Sequence, residues 1–323
     1  MMQTESESGR SERVPFLSIV VPCFNEEEGM SALHERLMAS AKAGFGENFE
    51  IVFVDDGSSD HTWTSMVDLN EKYPHIVAVK LSRNHGHQLA LTAGLTVASG
   101  DLVLVIDGDL QDPPELMGPM FELLRSEEAD VVYGQRRTRA GESWFKRGTA
   151  SLFYRILSRF TDVDIPVDTG DFRLMTRRAA NHIVQMPERD RFIRGMVAWI
   201  GFKQVPFVYD REPRFAGSTK YPFAKMLRFA IDAFLGHSMA LLRISAYFAG
   251  LTLIVLGGVG AHALYSWFFL DAVPGWTSLT MLIVALGAFQ LIVLSILGEY
   301  IGRIYLEGKR RPIFIIDQIK RSF

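Results

Sequence analysis

The chain has 323 residues, with 34 Lys+Arg against 37 Asp+Glu and a formal net charge of −3. That length can bury a real core as one large domain or two modest ones, and the 48% apolar share excludes disordered and fibrous classes. A weakly acidic chain lacks the basic surface of a general nucleic-acid binder, so no nucleic-acid partner is expected. The one cysteine, Cys23, excludes an intrachain disulfide and a cysteine-based zinc site.

Residues 1–13 are polar and mixed in charge, with no apolar stretch of a signal peptide, and read as a disordered lead. Leu17–Pro22 is a short, β-branched, apolar run, which predicts a buried strand. Helical spacing follows over Glu26–Ala43. The pattern then repeats: strand Ile51–Val54, helix Asp60–Tyr73 with Asp60 as N-cap, strand Ile76–Leu81, helix Gln88–Ala98. Leu102–Ile106 is another apolar strand, Pro113-Pro114 opens a helix through Arg125, and Val131–Tyr133 is a further strand. Such alternation, with strands apolar throughout, predicts an α/β fold: a mostly parallel sheet with helices on both faces. Ligands of such sheets bind beyond the carboxyl ends of the strands.

The C-terminal part differs. Ile244–Leu270 and Trp276–Gly298 each exceed the roughly 20 apolar residues that cross a bilayer core. They predict a two-helix transmembrane hairpin; a buried helical hairpin is the competing reading. Lys225, Arg228 and Arg243 flank it on one side, and Arg303, Lys309, Arg310 and Arg311 on the other. The positive-inside rule places both flanks in the cytoplasm, with Tyr265, Trp267 and Trp276 near the far interface. Trp144–Phe160 and Tyr221–Arg243 read as basic amphipathic helices at the membrane surface, with core packing as the alternative for the first. The expected organisation is therefore a lead (1–13), a cytosolic catalytic domain (14–220), a juxtamembrane helix (221–243), two spans (244–298) and a cytosolic tail (299–323) in a multi-pass protein of the cytoplasmic membrane.

Three strand ends carry chemistry. Asp107-Gly108-Asp109 follows the strand Leu102–Ile106 and continues as Leu110-Gln111-Asp112-Pro113-Pro114-Glu115. Two carboxylates so placed can hold a hard divalent cation, Mg2+ or Mn2+, together with phosphate oxygens of a substrate. A departing diphosphate needs that charge neutralised. A bare DxD is common in loops; its place in a strand–loop–helix unit is what raises its weight. Val54-Asp55-Asp56-Gly57-Ser58-Ser59-Asp60 and Val21-Pro22-Cys23-Phe24-Asn25-Glu26-Glu27 end two other strands. A carboxylate there can accept a nucleobase N–H, against the plainer reading of turn chemistry. No P-loop and no G-x-G-x-x-G occurs, which argues against a Walker NTPase or a typical NAD enzyme. His85 and His87 lack further ligands nearby in sequence, so polar contacts or capping are favoured over zinc.

These segments, with SRNHGHQ, TGDFRLM, ERDRFIRG, AGSTKY and the RRPIFII tail, appear in the order found in the inverting family-2 glycosyltransferases of GT-A fold. Within them the chain closely resembles the polyprenyl-phosphate glycosyltransferases, the group of bactoprenol glucosyltransferases and dolichol-phosphate mannose synthases. The resemblance spans about residues 16–316 and includes the hairpin. It implies that Pro22, Phe24, Glu26 and Asp55, with Asp107, hold the nucleotide, and that Asp107, Asp109 and Gln111 bind the metal, Asp109 acting in catalysis. Asp171, in TGDFRLM, stands where the family places an acidic residue near the acceptor, in many relatives the general base. A lipid phosphate is already ionised at neutral pH, which leaves orientation of the sugar or of an arginine as the other role. Arg191, Arg194, Arg214, Ser218 and Lys220 are candidates for the phosphates, whose mutual repulsion requires cations. The resemblance implies transfer of a monosaccharide, glucose from UDP-glucose, to polyprenyl phosphate at the cytoplasmic membrane face. The alternatives are a GDP-mannose-dependent synthase of polyprenyl- or dolichyl-phosphate mannose, and a non-enzymatic sugar-nucleotide-binding scaffold. Its partners would be the nucleotide sugar, the polyprenyl phosphate and the bilayer; a homo-oligomer stays open.

Overall fold

In the computed structural model, the described residues are 16–137, 169–210, 275–321 and scattered positions within 248–258. Arg214, Ser218, Lys220, both amphipathic stretches and most of the first apolar run lie outside them.

The chain divides into two compact units. The first holds an eight-stranded sheet, counted among the described residues. Its elements in chain order are β1 (Leu17–Cys23), α1 (Met30–Phe45), β2 (Phe49–Asp55), α2 (Thr62–Lys72), β3 (Ile76–Leu81), α3 (His87–Val97), β4 (Leu102–Val105), α4 (Met117–Ser126), β5 (Val131–Arg136), β6 (Thr169–Thr176), α5 (Arg177–Gln185), α6 (Ile193–Trp199), β7 (Gln204–Tyr209) and, far along the chain, β8 (Ile316–Arg321). The spatial order is β7-β5-β6-β4-β1-β2-β3-β8. β1 pairs in parallel with both β2 and β4, β2 with β3, and β5 with β7. β6 runs antiparallel between β4 and β5, and β8 antiparallel along β3.

The parallel strands are apolar on both sides because helices cover both faces. Ile19, Ile51 and Phe53 pack with Leu33, Leu37, Met66 and Met120 from α1, α2 and α4. Val20, Val52 and Val54 pack on the other face with Ala90, Leu91, Ile183 and Met196 from α3, α5 and α6. Burying a side chain such as Phe49, Phe53 or Phe172 stabilises by roughly 1.5–3 kcal/mol each.

Several boundaries differ from the sequence reading. The first helix begins at Met30, after a short 3-10 turn at Glu27–Gly29. Asp60 acts one residue ahead of the N-cap position His61: its Oδ1 accepts the N–H and the hydroxyl of Thr62. Three strands were not foreseen. β6 carries TGDFRLM, β7 lies at one edge, and β8 converts part of the expected tail into the other edge.

The antiparallel course of β6 matters for function. Its first residues lie at the carboxyl edge of β4, with Val105 opposite Arg173. Asp171 therefore enters the edge that Asp107 leaves.

The second unit contains α7, Trp276–Gly308, which runs on past the expected end at Gly298. Its 33 residues span about 50 Å at 1.5 Å per residue. Ala285–Gly308 has a mean hydropathy of 1.6 with none of its most apolar window buried, and is long and apolar enough to cross a membrane. Ile283, Leu291, Ile301 and Ile304 are each at least 60% exposed. Within this unit the rings of Phe248 and Phe289 lie 5.9 Å apart, so the two apolar runs meet there.

Candidate active site

The loops leaving β1, β2 and β3 are tied into one frame. Asn25 donates its backbone N–H to Ser58 Oγ at 3.0 Å, and Ser59 donates its own to Asn25 Oδ1 at 2.9 Å. Glu26 donates its backbone N–H to Thr62 Oγ1 at 2.9 Å. The carboxylate of Asp56 accepts the backbone N–H groups of His85 and Gly86, at 2.7 and 2.9 Å. Gly57 sits at φ +68°, and a Cβ there would come 2.5 Å from the Arg83 backbone, so only glycine fits.

Within that frame Asp55 is fully buried at the end of β2. Its Oδ1 accepts the Ser58 N–H at 3.0 Å, while Oδ2 is buried with no hydrogen-bond partner among the described residues. A buried carboxylate oxygen left open is costly unless a ligand completes it. Pro22 lies opposite Val54 in the sheet, and Phe24, 36% exposed, follows β1 directly. The structure thus brings Pro22, Phe24, Glu26 and Asp55 to adjoining strand ends.

Asp107 and Asp109 follow β4. Asp109 Oδ1 accepts the backbone N–H of Gln111 at 3.2 Å, through a turn in which Leu110 adopts φ +56°. Loss of water and the neighbouring Asp112, Asp171 and Asp109 raise the Asp107 carboxyl to about 6, against the opposing pull of His87. Asp107 Oδ1 is also buried without a hydrogen-bond partner among the described residues. Among those residues no three His, Cys, Asp or Glu side chains close around an ion. Two carboxylates at one strand end, one with an open buried oxygen, suit magnesium or manganese where a substrate's phosphate oxygens supply further positions. Asp107, Asp109 and Gln111 are the residues that would hold it.

Asp171 is buried in a nest of donors. Its Oδ2 lies 3.2 Å from His87 Nε2 and accepts from Gln88 Nε2 at 2.8 Å. Its Oδ1 accepts from Arg194 Nε at 3.1 Å, and Arg173 lies 3.7 Å away. Burial alone would raise this carboxyl, but Arg194, His87 and Arg173 outweigh it and hold the group well below the ordinary carboxylate range. His87 also reaches Asp107, at 3.4 Å. Burial would lower its imidazole, but the hydrogen bond to Asp171 and the two carboxylates raise it to about 9, so it is a cation at neutral pH. Gln88 accepts the N–H of Ile193 at 2.9 Å and thereby fixes the start of α6, which carries Arg194.

Gln88 is not foreseen as a site residue in the sequence, and His87 only as half of an H-x-H pair making donor-site polar contacts or a cap. Their place in SRNHGHQ, directly after a strand end, was the available signal. Arg191 stands elsewhere. Its guanidinium donates to the carbonyls of Ile183 and Met186, so it closes the end of α5. The structure brings Arg194, but not the guanidinium of Arg191, to Asp171.

A cation-lined carboxylate and an acidic strand end at one sheet edge invite comparison with known proteins. Residues 18–184 match the family model of glycosyl transferase family 2. The chain belongs to that family. It is a glycosyltransferase of GT-A-like fold, related to the bactoprenol glucosyltransferases. A prophage bactoprenol glucosyl transferase homolog of Escherichia coli (strain K12) is 37% identical over 311 residues, covering 94% of this chain and 99% of that protein. The bactoprenol glucosyl transferase of Shigella phage SfV is 37% identical over 313 residues, covering 95% and 99%. The glycosyltransferase YkcC of Bacillus subtilis (strain 168) is 43% identical over 309 residues, covering 93% of each. Among solved structures, glucosyl-3-phosphoglycerate synthase from Mycobacterium tuberculosis, crystallised with Mn2+, UDP-glucose and phosphoglyceric acid, gives a TM-score of 0.47 at 21% identity, covering 69% of this chain and 79% of that one.

Proposed function

We propose that this glycosyltransferase moves glucose from UDP-glucose to polyprenyl phosphate, with inversion at the anomeric carbon, at the cytoplasmic face of the membrane. The observation that carries the reading is the setting of Asp171, whose two oxygens are engaged by Arg194, His87 and Gln88 with Arg173 nearby. A carboxylate held far below its ordinary range by Arg194, His87 and Arg173 is a weak proton acceptor. A hydroxyl acceptor needs a base; a phosphate, already ionised, does not. The near full-length relatives named as bactoprenol glucosyl transferases support the same acceptor and the glucosyl group. The apolar helix α7 supports a membrane-bound enzyme working on a lipid.

The chain's residues then divide the work. Phe24 offers a face to the base, and Asp55 offers its open oxygen to a base or ribose donor. Asp107 and Asp109 would hold a divalent ion, which would neutralise the diphosphate. Arg194, fixed by Asp171 and Gln88, presents positive charge to the incoming phosphate. An oxygen of that phosphate forms the bond to the anomeric carbon while the bond to the diphosphate breaks, and UDP leaves with the electron pair. Asp171 orients Arg194 and His87.

The test is direct. Purified full-length protein is given a panel of radiolabelled nucleotide sugars with undecaprenyl or dolichyl phosphate. Label from UDP-glucose should enter the lipid fraction in a phosphate-linked product. Transfer from GDP-mannose alone would replace the donor, and transfer from no donor would overturn the reading.

A further inference from the structure

The loop that carries Asp107 and Asp109 has an anchor distant in sequence. Asp112 closes the D-G-D-L-Q-D run and is fully buried. Tyr209, the last residue of the edge strand β7, donates its hydroxyl to Asp112 Oδ1. Arg136, at the end of β5, stands opposite Tyr209 in the sheet and brings its guanidinium to 4.0 Å from the same oxygen. The Tyr209 ring is itself fixed. It meets Phe172 edge-on at 5.6 Å, and it uses space that a side chain at position 134 would take. A Cβ on Gly134 would come 2.8 Å from the Tyr209 ring and 2.7 Å from that of Phe172. Leu110 pins the middle of the loop, 3% exposed.

We propose that Tyr209 is a positioning residue for this loop: through Asp112 it sets where Asp107 and Asp109 stand to hold the divalent cation. The proposal rests on the metal reading above. A buried carboxylate needs donors, and its position follows them. Without the hydroxyl, Asp112 loses a donor that fixes its place, and the loop it closes is held less firmly. Magnesium demands near-ideal octahedral geometry at about 2.0–2.1 Å, so small shifts of two ligands weaken it sharply. A phenol at this edge is thus worth more than its one hydrogen bond to stability.

The experiment uses the full-length protein and the Tyr209→Phe variant, which keeps the ring. Two quantities are read: the Mg2+ concentration for half-maximal transfer, and the rise in Tm caused by Mn2+ with UDP in the absence of acceptor. We expect a metal requirement at least about tenfold higher, a smaller Tm rise, and a KM for the lipid phosphate within about twofold of wild type. A Tyr209→Phe enzyme with lower Tm but the wild-type metal requirement and the wild-type Tm rise would overturn the proposal, because the tyrosine would then only be structural. Asp112→Asn is read the same way and decides the matter if Tyr209→Phe does not fold. In the double variant the two effects should not add, since both act through one contact; full additivity would also overturn it. Wild-type protein fully active in EDTA would instead overturn the metal reading on which the proposal stands.

Discussion

Asp107 and Asp171 face each other across β4 and β6, and His87 touches both, yet their surroundings pull in opposite directions. Asp107 stands among Asp109, Asp112 and Asp171, and loss of water together with that crowding raises its carboxyl to about 6. Asp171 stands among Arg173, Arg194 and His87, and is held well below its ordinary value. Two carboxylates on one sheet edge are thus assigned to different tasks by their neighbours. The first is crowded by carboxylates despite the His87 imidazole 3.4 Å away, which suits it to a metal ion. The second is surrounded by positive charge and serves to hold cations in place.

The comparison breaks first at the metal. EDTA should abolish transfer, and magnesium or manganese should restore it. Asp109→Asn should cut turnover by orders of magnitude and weaken donor binding only when metal is present. Full turnover of that variant would make the strand-end acid pair a turn and nothing more.

Stability separates the two carboxylates next. Asp171→Asn leaves Arg173, Arg194 and His87 crowded without their counter-charge and should cost about 3–5 kcal/mol in denaturant unfolding. Asp107→Asn removes a charge that its site disfavours, and its midpoint should equal or exceed that of wild type. Equal losses in the two variants would erase the distinction.

The same contrast has a pH signature. Because the folded-state value of Asp171 is depressed, its contribution is fully present above the unfolded value of about 3.9 and is lost as pH falls through the folded value. The Tm gap between wild type and Asp171→Asn should hold from pH 7 to about pH 5 and narrow below about pH 4. A gap that widens with acidity would contradict the assignment.

The two arginines give the smallest effects and the sharpest split. Arg194→Ala should raise the KM for lipid phosphate about ten- to a hundredfold, the loss of one charge-assisted contact. Arg191→Ala should leave that KM near wild type and cost about 1–3 kcal/mol of stability, because the carbonyls of Ile183 and Met186 lose their donor. A raised KM in both would return Arg191 to the acceptor side.

What was legible in the sequence follows from the same physics. β1 to β4 are mostly apolar, broken only by Ser18, Glu50, Asp55 and Lys80, because both sheet faces are covered, and they announce themselves. β6 does not, because Asp171 and Arg173 interrupt its hydropathy; they are tolerated inside by pairing with each other, with Arg194 and His87, and with backbone carbonyls. β8 hides for the opposite reason: an edge strand exposes charged residues such as Asp317 and Lys320. The donor-side carboxylates could be found because they follow strands directly. The link from His87 to Asp171 spans 84 positions, and only the antiparallel turn of β6 into the site makes it. Arg191 lies in a charged run, which reads alike whether it faces a ligand or the end of a helix.

The central claim is that the acceptor arrives already ionised, so that Asp171 need not take a proton. It is tested by offering the purified enzyme, with UDP-[14C]glucose and Mg2+, undecaprenyl phosphate or undecaprenol, the same chain ending in a hydroxyl. The account predicts labelled lipid with the phosphate alone. Comparable transfer to the alcohol would show that the site activates a hydroxyl and would contradict it.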